Sequence, residues 1–391
     1  MTRLSPDDVV VVATARTPIG RAHKGSLRDA RPDDLGGFVV RALLDQLPGL
    51  DPAEVDDVVI GCAVPEGQQG FGIGRAVGLL AGLPESVPGL TVSRACASSL
   101  QAIRSAAHSI AAGEADVVVA GGVESVSKVS VSLGYDELNP RLADPAAEGF
   151  VTDLFASMLQ TAENVAARHA ITRRRMDELA ALSQARAATA RADGFFAAEI
   201  TPYPGADGTL VTEDDCPRPG TTVESLAALA SVLGPDATVT AGNSCPLNDG
   251  AAAVAVMSAR RAASLGLAPL ARIVASTVTG LEPSYMGVGP VAAVEKLLAT
   301  TGHTIGDIDI VELNEAFAAQ VLAVVDALGI DIDRQLNPFG GAIALGHPFG
   351  MTGARIMTTL LHGLRERDQE LGIETMCIGG GMGMAMLVQR L

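Results

Sequence analysis

Tryptophan is absent from the 391 residues, and tyrosine and phenylalanine are scarce, at 3 and 9. A chain this poor in rings cannot build its core or its ligand contacts mainly on aromatic stacking. Basic residues are also outnumbered: 28 Lys and Arg face 45 Asp and Glu, for a formal net charge of -17. Such a surface repels polyanions, so no nucleic-acid partner is expected. A small anionic ligand stays compatible where a few arginines cluster locally. The five cysteines, Cys62, Cys96, Cys216, Cys245 and Cys377, are odd in number, scattered and without a CxxC pair. That pattern argues against a disulfide framework and a zinc site, and makes a reducing cytoplasm the expected location. The six histidines lack paired ligand spacing, so no metal is expected. No apolar run reaches the roughly 20 residues a membrane helix needs. Met1-Thr2-Arg3-Leu4-Ser5-Pro6 leads into Asp7-Asp8 rather than an apolar signal core, so neither membrane insertion nor a secretory leader is expected.

What the chain does have is small and apolar. Hydrophobic residues make up 48% of it, with 43 glycines, a mixture suited to helices packed closely on sheets. The order of elements reads as two copies of one α/β unit. In the first copy Val9–Ala13 is a strand, Leu35–Leu47 a helix, Val58–Gly61 a strand and Asp116–Gly122 another. In the second, Ala271–Val274, Val291–Leu298, Asp309–Leu313 and Thr375–Gly380 repeat the series at offsets of about 250–265 residues. Near-continuous Val and Ile runs predict strands covered on both faces. Between the copies the composition changes. Pro140, Pro145, Asp144 and Glu148 mark loop, Thr161–His169 and Met176–Ala192 read as surface helices rich in Glu and Arg, and Thr201–Gly220 is a Pro/Gly/Asp stretch. Ala251–Ser258 returns to the apolar pattern and rejoins the first copy. The expected organisation is an α/β fold with a first half over residues 1–122 plus 241–268, an inserted loop domain over 123–240, and a second half over 269–391.

Two reactive types stand out against this scaffold. Cys96 precedes a predicted helix in which Leu100, Ile103, Ala107 and Ile110 recur at helical spacing and which Gly113 closes. Unpaired backbone N–H groups at a helix start favour a thiolate, which predicts a lowered pKa for Cys96. His347 in Gly346-His347-Pro348 and Cys377 before Gly379-Gly380-Gly381 supply a base and a second acid/base, which together would make an acyl-transfer site. A thiol suits the second task because its pKa of about 8.5 can be tuned toward neutrality. The run Gly379–Gly383 lacks the GxGxxG spacing of a dinucleotide loop.

Six strings, in order from about residue 9 to the end, resemble the thiolase family. They are Ala15-Arg16-Thr17-Pro18-Ile19-Gly20, Cys96–Ala102, Asn248-Asp249-Gly250-Ala251-Ala252, Asn314-Glu315-Ala316-Phe317-Ala318, Gly340–Pro348 and Cys377–Gly383. The resemblance implies a thiolase fold, two similar α/β halves in a layered core with an inserted loop domain. It implies reversible cleavage of a 3-ketoacyl-CoA by CoA, with an acyl group held on Cys96, activated by His347, while Cys377 moves the proton at C2 of acetyl-CoA. Gly379 with the Cys96 N–H would form one oxyanion hole, and Asn314, through a water, would form the other with His347. Glu315 is read equally as a loop-fixing carboxylate or a catalytic one.

The resemblance further implies coenzyme A as substrate, no bound cofactor, and a homodimer or homotetramer. Arg218 occupies the position of an arginine near the adenine end of CoA. Ser244 and Cys245 fall on the pantetheine stretch, where Cys245-Pro246 replaces a serine-glycine pair common in relatives. Met158 and Met286 match positions lining the pocket near the reacting thioester. Ser157 and Leu159 replace a His and a Gly of biosynthetic relatives, and the string around Val288 looks degradative, which predicts substrates longer than acetoacetyl-CoA. The alternatives carried are a biosynthetic acetoacetyl-CoA thiolase, a decarboxylating β-ketoacyl synthase-like enzyme, which would show two histidines beside its cysteine, and a non-catalytic CoA-binding protein.

Overall fold

The strands at Val9–Arg16, Val117–Ser125 and Asn248–Ser258 are buried along both faces as expected, whereas the one at Ala271–Gly280 is mostly half-buried. The computed structural model describes residues 4–129, 138–205 and 208–391. Residues 1–3, where the leader reading begins, and 130–137 and 206–207 of the expected insertion lie outside them. The first half contains β1 (Val9–Arg16), the short β2 (Gly20–Arg21), α1 (Pro32–Leu44), β3 (Asp57–Gly61), α2 (Ile73–Leu80), β4 (Gly89–Val92), α3 (Ser98–Ala111) and β5 (Val117–Ser125). An excursion follows with α4 (Met158–Arg168), α5 (Arg173–Ala192), the hairpin β6 (Tyr203–Pro204) and β7 (Leu210–Val211), and α6 (Val223–Ala227). The chain returns through β8 (Asn248–Ser258) and α7 (Ala259–Ser264). The second half is β9 (Ala271–Gly280), α8 (Gly289–Thr301), β10 (Ile310–Leu313), α9 (Ala318–Leu328), α10 (Ala342–Leu345), α11 (Thr352–Glu366), β11 (Leu371–Ile378) and β12 (Met382–Arg390).

Apart from the β6/β7 hairpin, the strands form one sheet in the order β10-β11-β12-β9-β1-β8-β5-β3-β4, with β2 beside β8. Its two halves repeat the same pairing. β3 runs parallel to β5, and β5/β8 and β8/β1 are antiparallel. Correspondingly β10 runs parallel to β11, and β11/β12 and β12/β9 are antiparallel. The halves meet where Val10 and Val11 of β1 pair with Arg272 and Ala271 of β9.

Alternation along β1 shows how the layers arise. Val9 and Val11 enter a core with α3, α11 and strands of both halves. Val10 and Val12 enter a second core with α1 and α2, and a third core joins α8 and α9 to the other face of β11 and β12. α3 and α11 are therefore enclosed by both halves, and α1/α2 and α8/α9 form the outer layers. The enclosed helices touch through small residues. A Cβ on Gly353 of α11 would lie 2.3 Å from the Leu100 backbone nitrogen of α3, so only glycine allows the crossing. The Ala354 N–H donates to Ser99 Oγ at 3.0 Å across the same crossing. This contact brings the two helix N-termini, and with them Cys96 and the His347 loop, to one place.

One expectation needs correcting. α5 is not simply a surface helix: it buries Met176, Asp177, Leu179, Ser183 and Ala187 along one side. The buried polar pair has work to do, because Asp177 accepts from Asn243 Nδ2 at 3.0 Å and Ser183 holds a carboxylate described below.

Candidate active site

Cys96 lies just outside the N-terminus of α3. The preceding residue, Ala95, is held at φ +43, a left-handed conformation rare for a residue with a Cβ. It is locked by the Ser98 hydroxyl, which donates to the Ala95 carbonyl at 2.7 Å, and by the Ser98 N–H donating to the same oxygen. The turn projects the Cys96 sulfur toward the β11–β12 connection. There the Gly379 N–H, together with the N–H of Cys96 itself, is directed at that sulfur. The Met158 Sδ of α4 lies 3.8 Å and the Ala95 Cβ 4.0 Å from the Cβ position of Gly379.

The lowered thiol pKa expected for Cys96 is not what the fold produces. Burial pushes it up to about 11, against the smaller opposing pull of the two N–H groups. Desolvation outweighs the helix start because the sulfur sits one residue before the N-cap, at the margin of the dipole's reach. Cys377, near the end of β11, is fully buried, and its thiol also rises well above the ordinary value, through burial and then the neighbouring Cys96 and Cys245 sulfurs. Tuning toward neutrality is thus absent, and at rest both thiols are protonated.

His347 is buried in the loop between α10 and α11. Its backbone N–H donates to Asn248 Oδ1 at 2.9 Å, Nδ1 lies 2.6 Å from Thr352 Oγ1, and Nε2 lies 3.4 Å from Asn314 Nδ2. Burial, aided by the Arg355 charge, lowers its pKa to about 3, so the imidazole is neutral. Asn314 follows β10 directly, and its N–H donates to Thr375 O of β11 at 3.0 Å. Its side-chain Oδ1 is buried and has no hydrogen-bond partner among the described residues. A continuous series of contacts thus runs from His347 through Asn314 to β11, and from the end of β11 through Gly379 to Cys96.

Glu315 belongs to the scaffold. Its buried carboxylate accepts from Ser183 Oγ at 2.7 Å, Asn337 Nδ2 at 2.9 Å and the Ile343 N–H at 3.1 Å. It thereby holds the Gly340–Pro348 loop. Glu124, which the sequence reading passed over, plays the same part from the other side, accepting from the Ala63 and Gly350 N–H groups at 2.8 Å each. Asn248 and Thr352 were also missed as partners of His347, although Asn248 stands in one of the quoted strings. No local pattern signals a contact made by a loop folding back.

Cys377 shares an apolar cluster with Ala162, Val239, Met286, Ala316 and Phe317, against which Leu159 packs. Met286 is buried there, whereas Met158 is partly exposed beside Gly379. A cleft of about 510 Å³ opens alongside, lined by Arg21, His23, Arg218, Ser244, Cys245 and others. Cys245 links it to the cysteines, since its sulfur is among the neighbours that raise Cys377. Arg218 is not among the catalytic groups: it stands on the cleft wall with its side chain exposed, fixed by its N–H to Gln184 Oε1 at 2.7 Å. The Ser244 hydroxyl donates to Thr240 O at 2.8 Å, so its proton is already engaged. Among the described residues no group of three His, Cys, Asp or Glu side chains is placed to hold a metal ion.

The fold is one of paired α/β halves, with Cys96 before α3 and the His347 loop before α11 at the enclosed helices and Cys377 near the end of β11. Comparison with known proteins gives the family. Residues 9–260 match the thiolase N-terminal domain and residues 267–390 the thiolase C-terminal domain. A 3-ketoacyl-CoA thiolase from Saccharophagus degradans is 46% identical, over 99% of each chain. A beta-ketoadipyl-CoA thiolase from Pseudomonas putida is 44% identical over 98% of this chain and 99% of its own. The crystal structure of the Bacillus anthracis acetyl-CoA acetyltransferase superposes with a TM-score of 0.90 at 38% identity, covering 98% of this chain and 99% of that one. The chain belongs to the thiolase family. It has the thiolase fold and is an acyltransferase.

Proposed function

We propose that this thiolase cleaves 3-ketoacyl-CoAs longer than acetoacetyl-CoA, using Cys96 as nucleophile. The observation that carries the reading is the Cys96 sulfur facing the Gly379 N–H beside an apolar cluster that contains Cys377. The Cys96 sulfur attacks C3 of the substrate while its proton passes to His347 Nε2. The C3 oxygen gathers charge toward the N–H groups of Cys96 and Gly379. The C2–C3 bond then breaks, its electron pair goes to C2, and the Cys377 thiol supplies the proton that completes acetyl-CoA. A protonated thiol at rest suits this donation. In the second half, the thiol of CoA attacks the acyl-Cys96 carbonyl, giving its proton to the Cys377 thiolate, and the Cys96 sulfur leaves and regains the proton held by His347. Asn314 Oδ1, without a donor among the described residues, would be satisfied by a water that with His347 stabilises the acetyl-CoA enolate. Side chains and the two thioesters suffice, and the scheme calls on no bound cofactor.

The buried residues packed around Cys377 are Ala162, Val239, Met286, Ala316 and Phe317, an apolar surround that favours a hydrocarbon acyl chain over one ending in a carboxylate. Each added methylene buried there contributes on the order of 0.8 kcal/mol. CoA would enter by the Arg218–Cys245 cleft with its anionic end toward Arg218. Self-association as a dimer or tetramer is part of the proposal. β4 is the last strand of the sheet with Leu90 exposed, and Phe71 is fully exposed, apolar surface that a second copy would cover. All five cysteines are free, in keeping with a cytoplasmic setting.

The test is a kcat/KM series from four to ten acyl carbons, with 3-ketoadipyl-CoA alongside. Activity rising with length and low for the dicarboxylate is expected. Acetoacetyl-CoA as the best substrate, with activity falling along the series, would instead identify a biosynthetic enzyme.

A further inference from the structure

Thr352 stands five residues after His347, at the first turn of α11, and its oxygen sits between two partners. Nδ1 of His347 lies 2.6 Å from Oγ1, and the Pro348 carbonyl oxygen lies 2.7 Å from it. A threonine hydroxyl has one proton to donate. The Pro348 oxygen can only accept, so an Oγ1–O distance of 2.7 Å without that proton between them would press two lone pairs together. The proton therefore belongs to the Pro348 carbonyl, and Oγ1 must accept from His347, whose Nδ1 then carries hydrogen. Nε2 is left with the lone pair, and the neighbouring Asn314 Nδ2, a donor, fits that assignment.

We infer that Thr352 is a positioning residue that fixes His347 in the Nδ1–H tautomer and so leaves Nε2 as the nitrogen free to take a proton. The inference rests on the reading of His347 as the base that takes the Cys96 proton. The relay also acts during turnover. When Nε2 accepts the proton, the imidazolium is buried with Arg355 nearby. The Nδ1–H···Oγ1–H···O=C chain then spreads its charge onto the Pro348 carbonyl, which also accepts from the Met351 N–H. An isosteric side chain without the oxygen keeps the packing and loses both effects.

The experiment measures alkylation of Cys96 by iodoacetamide near neutral pH, and thiolysis, in Thr352→Val, Thr352→Ser, His347→Gln and the Thr352→Val/His347→Gln double variant. Thermal midpoints are recorded for each, with Thr352→Ala replacing the valine variant should that fail to fold. We expect Thr352→Val to slow both rates by tenfold or more, Thr352→Ser to restore them to within about threefold, and the valine change to add nothing once His347 is glutamine. If His347→Gln is slow while Thr352→Val reacts at the wild-type rate, the inference is overturned and the base assignment stands. If His347→Gln itself alkylates at the wild-type rate, the base assignment falls with it. Equal slowing by Val and Ser would mark a packing role alone and would also overturn the inference.

Discussion

The backbone N–H of Gly379 is directed at the Cys96 sulfur, and the Cβ position of Gly379 looks past it toward Met158 and Ala95. A methyl group there meets Met158 Sδ at 3.8 Å and Ala95 Cβ at 4.0 Å, ordinary contact distances. Gly379→Ala should therefore fold with an unchanged melting temperature. The methyl would still intrude where the thioester must lie, and misplacement of about 1 Å costs on the order of a hundredfold. A loss of kcat/KM in thiolysis of ten- to a hundredfold is expected. Wild-type activity would show that the reacting carbonyl does not pass this glycine.

The pH dependence of Cys96 follows from the directions of two shifts. Its thiol is raised to about 11 and His347 is lowered to about 3, so both are neutral over the whole working range. Removing the proton needs the imidazole in the same step, and the reaction should depend little on pH between about 5 and 9. In His347→Gln only free thiolate reacts, and its rate should climb by about tenfold per pH unit toward 11. Iodoacetamide alkylation followed across pH in both proteins checks this. A wild-type rate that rises through an apparent pKa of 6–8 would contradict the burial-raised thiol.

Glu315 is expected to be structural. Truncation to alanine leaves the Ser183 hydroxyl, the Asn337 amide and the Ile343 N–H without their acceptor, and buried donors abandoned in this way cost about 1–3 kcal/mol each when nothing replaces the partner. Chemical denaturation should show a loss of several kcal/mol in Glu315→Ala. Glu315→Gln, which keeps one acceptor oxygen, should lose less and retain most of the acylation rate. Full stability in the alanine variant would remove Glu315 from the scaffold.

Much of this arrangement was legible in the chain. Strands such as β1 and β8 declare themselves because burial on both faces demands unbroken Val and Ala, and α3 because Leu100, Ile103, Ala107 and Ile110 must share one side. The repeat of the halves follows from the same runs. Cys96, His347 and Cys377 stood out because the acyl transfer proposed for them needs reactive residue types in distinctive strings. The environment of those groups was not visible. A helix-start argument predicted an acidic Cys96, but desolvation depends on neighbours from α3, β11 and the insertion, which no local window contains. The grip of Asn248 on His347 and the buried side of α5 are likewise tertiary facts, and α5 carries so many charges that its inner face is hidden in the sequence.

The proposed mechanism gives Cys377 and His347 different protons to handle. Replacement by alanine should abolish solvent-deuterium exchange at C2 of acetyl-CoA while Cys96 still alkylates at a rate close to wild type. Cys377→Ser, with a group far harder to ionise, should exchange at least about a hundredfold more slowly. Exchange at the wild-type rate in both variants would take Cys377 out of the mechanism.

The most direct test of the account is the site of the covalent intermediate. The protein is incubated briefly with acetyl-CoA, quenched in acid, digested and analysed by peptide mass spectrometry. The account predicts an acetyl group on Cys96, lost on adding CoA and absent from Cys96→Ala, which should also lack thiolysis. An acetyl group carried instead by Cys377 or Cys245, or a Cys96→Ala protein that still turns over, would contradict it.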